Sequence, residues 1–406
     1  MEQKKADSIY EGVEQWQYGV AKSIVFIVTK DCQLACKYCY LVGKNEKETM
    51  SFETAKKAVD YVLNNKVSME SPAIIWDFIG GEPFLEIDLI DKICDYIKLK
   101  LFQQNHPWFN SYRFNFSTNG INYHTEKVQK FIEKNYNHVS IGFSIDGTKK
   151  KHDLNRIWKG DGPEKGSYED VAKNIPLWLS QFPKGSTKVT ISSADIPYIK
   201  ESVLHLYSIG IHEVNINVVF EDVWNEGDDL LFEDQLIQLA DAIIDGDLYQ
   251  NNSCSFFSED IGKPLDKELE NQNWCGAGRI LSVDAAGNFY PCTRFAAYSL
   301  REKKPIIIGN VNDGIDYNKL RPFFTLDRTT QSTQECIDCD VAGGCAWCQG
   351  ENYDAAESNT IYQRSTAICK MHKARVRANN YYWNKLFRKL EKTGEPKPES
   401  KTNVIC

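Results

Sequence analysis

Between residues 23 and 220, six short β-rich runs alternate with helical patterns, and this alternation constrains the fold more tightly than any other feature of the chain. The strand candidates are residues 23–29, 73–79, 112–117, 138–144, 188–192 and 213–220. Helical stretches near 51–65, 87–104, 124–135, 168–181 and 198–209 lie between them. Helix-filled connections of this length return the chain to the same end of a sheet, so neighbouring strands run parallel. The spacing predicts an α/β fold: a parallel sheet with helices outside, either open or curled into a partial barrel. Ser51 reads as the N-cap of the first helix, with Glu53 close behind. In such sheets ligands collect at the C-terminal ends of the strands. Each candidate motif of this half lies at one of those ends.

The first strand, Ile24-Val-Phe-Ile-Val28, leads into Cys32, Cys36 and Cys39, a C-x3-C-x2-C spacing. Three thiolates on one tight loop hold three irons of a cubane 4Fe–4S cluster and leave the fourth open to a small molecule. Zinc fits less well, because its structural sites use paired knuckles and four ligands. The 406-residue chain carries thirteen cysteines, and its N-terminus, Met1-Glu-Gln-Lys-Lys5, lacks an apolar signal core. That combination predicts a cytoplasmic protein whose cysteines do metal or redox work, not disulfide bonding. No run approaches the length of a transmembrane span. A net charge of −8 argues against a general binder of nucleic acid or anionic membrane.

With Tyr38 just ahead of the third cysteine, this loop resembles that of the radical S-adenosylmethionine (SAM) enzymes. The resemblance implies that the open iron chelates the amino and carboxylate groups of the methionine. One electron then yields a 5′-deoxyadenosyl radical, chemistry that belongs to the cofactor. Gly80-Gly81-Glu82-Pro83 looks like the family's motif for the methionine amino group, and Asn119, in Ser117-Thr-Asn-Gly120, would lie near the adenosyl group. Ser144-x-Asp146-Gly147 followed by His152-Asp-x-x-Arg156 resembles a signature of members that modify proteins and peptides. It implies Ser144 on the ribose and Arg156 on the methionine carboxylate, a pairing that suits a planar guanidinium. Ser192 is a second ribose candidate, and Val218 would supply backbone near the adenine. Without the family, these are turn sequences, a charged helix start and a buried strand.

Seven later cysteines form a second constellation. Residues 280–292 read as a β-hairpin presenting Cys292, and 336–348 as a glycine-containing loop. Paired C-x2-C spacings also suit zinc, but seven thiols exceed one zinc site and fall one short of two. The arrangement looks like the SPASM extension of radical SAM enzymes, over about 274–370. That resemblance implies a first auxiliary cluster on Cys275, Cys292 and Cys348, and a second on Cys336, Cys339, Cys345 and Cys369. The chain would then carry three 4Fe–4S clusters. One departure is that only Ala346 and Trp347 separate Cys345 from Cys348, where the family has three residues. Cys254 reads as a fourth ligand of the first auxiliary cluster or a small buried hydrophobe, Cys94 as core, and Cys406 as the end of a polar tail.

The resemblance covers roughly residues 23–370. It implies a partial (β/α)6 TIM-like barrel followed by a small Cys-rich SPASM-type domain with a β-hairpin and a C-terminal helix. The expected divisions are an N-terminal extension (1–22), the radical SAM barrel (23–220) and a linker with a helical segment near 231–245 (221–273). The auxiliary-cluster domain (274–370) and a C-terminal helix with its tail (371–406) follow. The implied activity is that of a radical SAM oxidoreductase, a maturase of a ribosomally made Cys-rich precursor peptide. Hydrogen abstraction would be followed by Cys sulfur-to-carbon thioether crosslinking; no catalytic side chain is singled out. The run Cys345-Ala-Trp-Cys-Gln-Gly-Glu-Asn-Tyr353 looks most like maturases of that kind. Carbon–carbon crosslinking and anaerobic sulfatase maturation are the alternatives. In sulfatase maturases an Asp follows the second SPASM cysteine, whereas here Thr293 follows Cys292. A non-catalytic zinc-binding scaffold is the reading from another class. The implied partners are the peptide, an electron donor such as flavodoxin or ferredoxin, and a separate leader-peptide recognition protein. The roughly twenty residues before the first strand are too few to fold alone as a recognition domain. The catalytic domain, or the helix at 374–392 with seven Lys or Arg over 371–392, are the other candidates for leader binding.

Overall fold

A computed structural model describes residues 20–44, 47–65, 71–160, 162–263, 275–394 and 396. The N-terminal extension up to residue 19, the end of the expected linker (264–273), the first residue of the expected auxiliary-cluster domain (274) and Cys406 lie outside them. The first elements are β1 (Lys22–Thr29), α1 (Phe52–Asn64), β2 (Ile74–Gly80), α2 (Ile87–Gln103), β3 (Tyr112–Thr118) and α3 (Glu126–Asn135). Next come β4 (Val139–Phe143), α4 (Lys149–Asn155), α5 (Tyr168–Ala172), α6 (Ile175–Gln181), β5 (Ser186–Ile191), α7 (Ile199–Ser208) and β6 (Glu213–Val218). The remainder holds α8 (Asp228–Asp245), β7 (Ser253–Cys254), β8 (Ile280–Val283), β9 (Asn288–Tyr290), β10 (Gly309–Asn310), β11 (Gly314–Ile315) and α9 (Tyr317–Phe324). Three short helices, α10 (Arg328–Gln331), α11 (Gln334–Ile337) and α12 (Gln349–Ala355), precede the long α13 (Cys369–Thr393). The expected six-fold β/α alternation is present. Ser51 caps α1 as expected, its side chain accepting from the Thr54 N–H at 3.0 Å.

The chain divides into two compact units. One comprises Met1–Gln33, Leu41–Ile141 and Gly276–Phe324. In it β1 pairs parallel with β2, and β2 with β3. Along β2 the residues Ile74, Trp76 and Phe78 are fully buried while those between are half-exposed, the period of two that a pleated strand imposes. A run of rings fills the buried side: Phe26 lies 5.6 Å from Phe78, which lies 5.4 Å from Phe116. The expected hairpin forms from β8 and β9, but β8 also runs parallel to β1, Ser23 opposite Ile280. Its backbone satisfies the edge that β1 would otherwise leave unpaired, and β1 is buried on both faces from Ile24 onward.

The second unit comprises Leu34–Tyr40, Gly142–Cys275 and Thr325–Cys406. Here Phe143 of β4 pairs parallel with Thr187 of β5, β5 with β6 and β6 with β7. Trp178 stacks on Phe143 with centroids 4.5 Å apart. The helix expected over 168–181 is two helices, because Pro176 in the first turn of α6 lacks the N–H to continue the earlier one. Gly227, at φ +86°, turns the chain into α8, whose first turn carries Asp228 and Asp229 against the helix dipole.

The acidic α8 and basic α13 were legible only as separate charged helices; in the structure they are partners. Arg377 pairs with Glu233 at 2.6 Å, Lys385 with Asp241 and Asp245 at 2.8 Å each, and Lys389 with Asp247. Arg375 turns inward to the carbonyls of Ser255 and Phe256, and burial pushes its pKa down to about 10. The buried stripe of α13 is Ala374, Ala378, Tyr382, Leu386 and Leu390, with Val376 beside it. Trp383 and Phe387 are half-buried. Exposed ion pairs contribute little, whereas the ring of Tyr382, stacked 4.4 Å from Phe257, is buried. Tyr382→Ala is therefore expected to cost about 3–5 kcal/mol and Asp241→Asn less than about 1 kcal/mol. Urea unfolding followed by circular dichroism checks the contrast.

Candidate active site

In the first unit the C-terminal ends of β1, β2 and β3 carry Cys32, the Gly80-Gly81-Glu82 turn and Asn119. The two glycines allow a close approach, but the partner is the protein's own chain. A Cβ on Gly80 would lie 2.2 Å from the Thr29 carbonyl oxygen, and one on Gly81 2.1 Å from that of Asp31. The N–H groups of Gly81 and Glu82 donate to those same two carbonyls at 2.9 Å. This turn is thereby strapped to the backbone that leads into Cys32. Glu82 is 1% exposed. Its carboxylate accepts from the Phe84 N–H at 3.0 Å, the Thr118 hydroxyl at 2.7 Å and the Asn119 N–H at 2.7 Å. Asn119 passes the order on: its side-chain amide donates to Gln33 at 3.0 Å and points toward Cys32 Sγ at 4.0 Å. The Glu82 carboxylate aligns β3 and, through Asn119, the first cysteine.

In the second unit the centre is Asp146, which had entered the sequence reading only as a letter in a motif. It is fully buried. Tyr38 donates its hydroxyl to Asp146 Oδ2, Arg156 Nε donates to the same oxygen at 3.1 Å, and the Thr190 N–H donates to Oδ1 at 3.2 Å. Burial alone would raise the Asp146 pKa; the charges of Arg156 and Lys151 outweigh it and hold the carboxyl at about 2. Arg156 also lies over the Tyr38 ring, 5.6 Å from its centroid, and reaches Cys36 Sγ at 4.0 Å. Its observed carboxylate partner is Asp146. Beside it, the Asp146 N–H donates to His152 Nδ1 at 3.3 Å, which assigns the ring proton to Nε2. That Nε2 then donates to Ser167 Oγ at 3.0 Å, and the Ser167 hydroxyl donates to the Arg156 carbonyl at 2.8 Å.

Ser144, Ser192 and Val218 follow or end β4, β5 and β6, all at the same end of parallel strands. Each is half-buried. Ser192 donates its hydroxyl to Asp195 Oδ2 at 2.5 Å, so toward a ligand it can only accept. Asp195 is fully buried, accepts from Asn155 at 2.8 Å, and lies 3.7 Å from the equally buried Lys151 ammonium. This Lys151–Asp195 pair had no separate signal in the sequence.

All twelve described cysteines are free thiols. Cys254 and Cys94 behave as buried hydrophobes, burial pushing the first up to about 12 and the second well above the usual thiol range. Four others share one environment. The Cys345 thiol is pushed up by burial and then by Cys369, Cys336 and Cys339, with Arg364 opposing. Cys369 opens α13 and Cys348 directly precedes α12. Cys275 and Cys348 belong to the second unit and Cys292 to the first. Among the described residues no three His, Cys, Asp or Glu side chains converge on a single ion. A donor set made of soft thiols, faced by amide and guanidinium donors, fits iron–sulfur ligation.

Known proteins bear on this geometry. The family model of the radical SAM superfamily matches residues 26–192, the span that holds both networks. The chain carries a radical SAM domain. With that domain come a 4Fe–4S cluster and SAM as cofactors. An uncharacterized protein of Methanocaldococcus jannaschii is 27% identical over 300 residues, 72% of this chain and 89% of that protein. The serine-type anaerobic sulfatase-maturating enzyme of Bacteroides thetaiotaomicron is 23% identical over 346 residues, 77% of this chain and 78% of that one. In fold, native anSMEcpe with bound AdoMet and Cp18Cys peptide is similar over 92% of this chain and 99% of its own, with a TM-score of 0.66 at 18% identity. The radical SAM fold expected from the sequence is thus present, and the likeness extends through the cysteine-rich half.

None of the described helices is long and apolar enough to cross a membrane. The radical SAM domain also has a pH signature. Burial holds His152 neutral, with a pKa lowered to about 3. The unfolded chain takes up this proton near pH 6.5, and the folded chain refuses it until about 3. The stability is present in full above pH 6.5 and is lost as pH falls toward 3. Between pH 6 and 4 the wild type should lose about 1.4 kcal/mol per pH unit more than His152→Gln. Denaturant unfolding across that range measures it, and equal slopes would rule out a buried neutral imidazole.

Proposed function

We propose that this chain is a radical SAM maturase that modifies a ribosomally made, Cys-rich peptide and joins a Cys sulfur to a carbon. The observation that carries the reading is the clustering of ten free thiols, three on the loop of the radical SAM domain and seven in the second half. When bound, the cluster and SAM supply a radical able to take a hydrogen atom from carbon. In this reading the chain's own residues do the rest. Cys32, Cys36 and Cys39 hold the cluster, with Asn119 and Arg156 orienting the first two. Arg156 keeps its charge at any working pH, and Tyr38 remains a phenol because burial raises its pKa far above the usual range. Ser144, Ser192 and Val218 border the adenosyl group. Cys336, Cys339, Cys345 and Cys369 carry one auxiliary cluster. Cys275, Cys292 and Cys348 carry another, an incomplete ligand set that a substrate thiolate completes.

A polypeptide substrate is supported by the similarity to a sulfatase-maturating enzyme and, in fold, to a structure holding a peptide. That similarity also favours sulfatase maturation as a second reading. Thr293 counts against it, because it stands where the sulfatase maturases carry an Asp. Leader recognition is assigned to a separate protein or to the radical SAM domain. Helix α13 spends Arg375, Arg377, Lys385 and Lys389 on contacts within its own unit. An electron donor of the flavodoxin or ferredoxin type completes the partners.

Anaerobic reconstitution should give a brown protein with about twelve irons; a colourless zinc-loaded protein would restore the scaffold reading. Incubation with reductant, SAM and a Cys-rich precursor should release 5′-deoxyadenosine and leave a peptide lighter by two hydrogens. Its crosslinked Cys would be found by tandem mass spectrometry. Cys32→Ala should abolish both products. A peptide that keeps its mass while a sulfatase-derived peptide is converted would decide for the second reading.

A further inference from the structure

Arg364 is anchored at three points. Its Nη2 donates to Cys345 Sγ at 3.1 Å, its Nη1 donates to Ser332 Oγ at 3.3 Å, and its guanidinium lies 4.8 Å from the centroid of the Trp347 ring. Trp347 is 5% exposed, so the platform under the guanidinium is itself fixed. Lys373 also faces these thiols, but its side chain is 45% exposed and pairs with Glu335 at 3.8 Å. Solvent screens a charge of that kind. Arg364 is half-buried and in direct contact with a sulfur, so solvent screens its charge less.

We propose that Arg364 tunes the cluster held by Cys336, Cys339, Cys345 and Cys369, favouring its reduced form through a charge-assisted hydrogen bond to the Cys345 sulfur. The inference rests on the four-thiol assignment made above. Reduction adds one electron and hence one negative charge to the cluster and its thiolates. A permanent cation that donates to a ligand sulfur stabilises the more negative state, so it raises the reduction potential. Trp347 and Ser332 hold the donor on line, and Arg364 acts through Cys345 as a positioning residue.

The test is a potentiometric titration of the reconstituted full chain, followed by electron paramagnetic resonance, with iron counted in parallel. Cys336→Ala should lose about four irons and so identify which signal belongs to this cluster. Arg364→Gln should keep its iron and move that midpoint to more negative potential. The expected size is about tenfold in the ratio of reduced to oxidised cluster, which is about 59 mV for one electron. Arg364→Lys should move it less, in the same direction, and the other midpoints should stay where they are. If Arg364→Gln loses cluster iron, the Arg364→Lys midpoint decides. An unmoved midpoint in the iron-replete variants overturns the inference, and so does loss of this cluster from both, which would make Arg364 an assembly residue. Should Cys336→Ala retain all its iron, the four-thiol assignment itself fails. If it loses about four irons while the Arg364→Gln midpoint stays put, only the role of Arg364 falls.

Discussion

A carboxylate shut away from water must have its charge matched and its oxygens hydrogen-bonded, or it will not stay ionised. Asp146 meets that demand at the end of β4, with Tyr38, Arg156 and the Thr190 N–H on its two oxygens. Much of the second unit's site follows from it. Arg156 is fixed at Nε and therefore extends toward Cys36. Tyr38 is fixed at its hydroxyl, which orients the ring beneath the guanidinium. His152 receives the Asp146 N–H and closes the circuit back to Arg156 through Ser167. A few ångströms along the same strand ends, Lys151 and Asp195 form a second buried pair that holds Ser192. Buried pairs of this kind add little net stability over an apolar core. Their effect is to leave each polar group one geometry.

The cysteines sort by the same logic of what surrounds them. Cys94 and Cys254 sit among apolar neighbours, and burial keeps them protonated. Cys32, Cys36 and Cys345 each have a nitrogen donor directed at sulfur, from Asn119, Arg156 and Arg364 respectively. A donor aimed at sulfur favours thiolate, the form that binds iron. Spacing along the chain separated the clustered cysteines from the solitary ones, and the donors aimed at sulfur separate three of them again, although burial pushes the Cys345 thiol up as well.

The alternation of strands and helices was legible because it depends on local period and length. The Ser51 cap was legible for the same reason. Pro176 was visible too, and its missing N–H is enough to divide the helix that periodicity ran together. What was not legible depends on contacts far apart in sequence. The pairing of β8 with β1 joins residues about 250 apart. The match of α8 to α13 gives the basic residues of the last helix acidic partners within its own unit. In the site, the residue types of the motifs were readable but their partners were not. Glu82 and Ser192 read as ligand contacts, yet their side chains are bonded to other parts of the chain. Without the family, Asp146 read as part of a turn, and Asp195 drew no reading, because nothing local marks a buried carboxylate.

Gly80 and Gly81 have no side chains and still set where the first cysteine stands. The carbonyls of Thr29 and Asp31 occupy the space that two side chains would fill. The distance between this turn and the cysteine loop is gauged by the absence of two methyl groups. Intolerance to mutational drift therefore reaches beyond the residues that touch a cofactor, to positions whose contribution is only to be small.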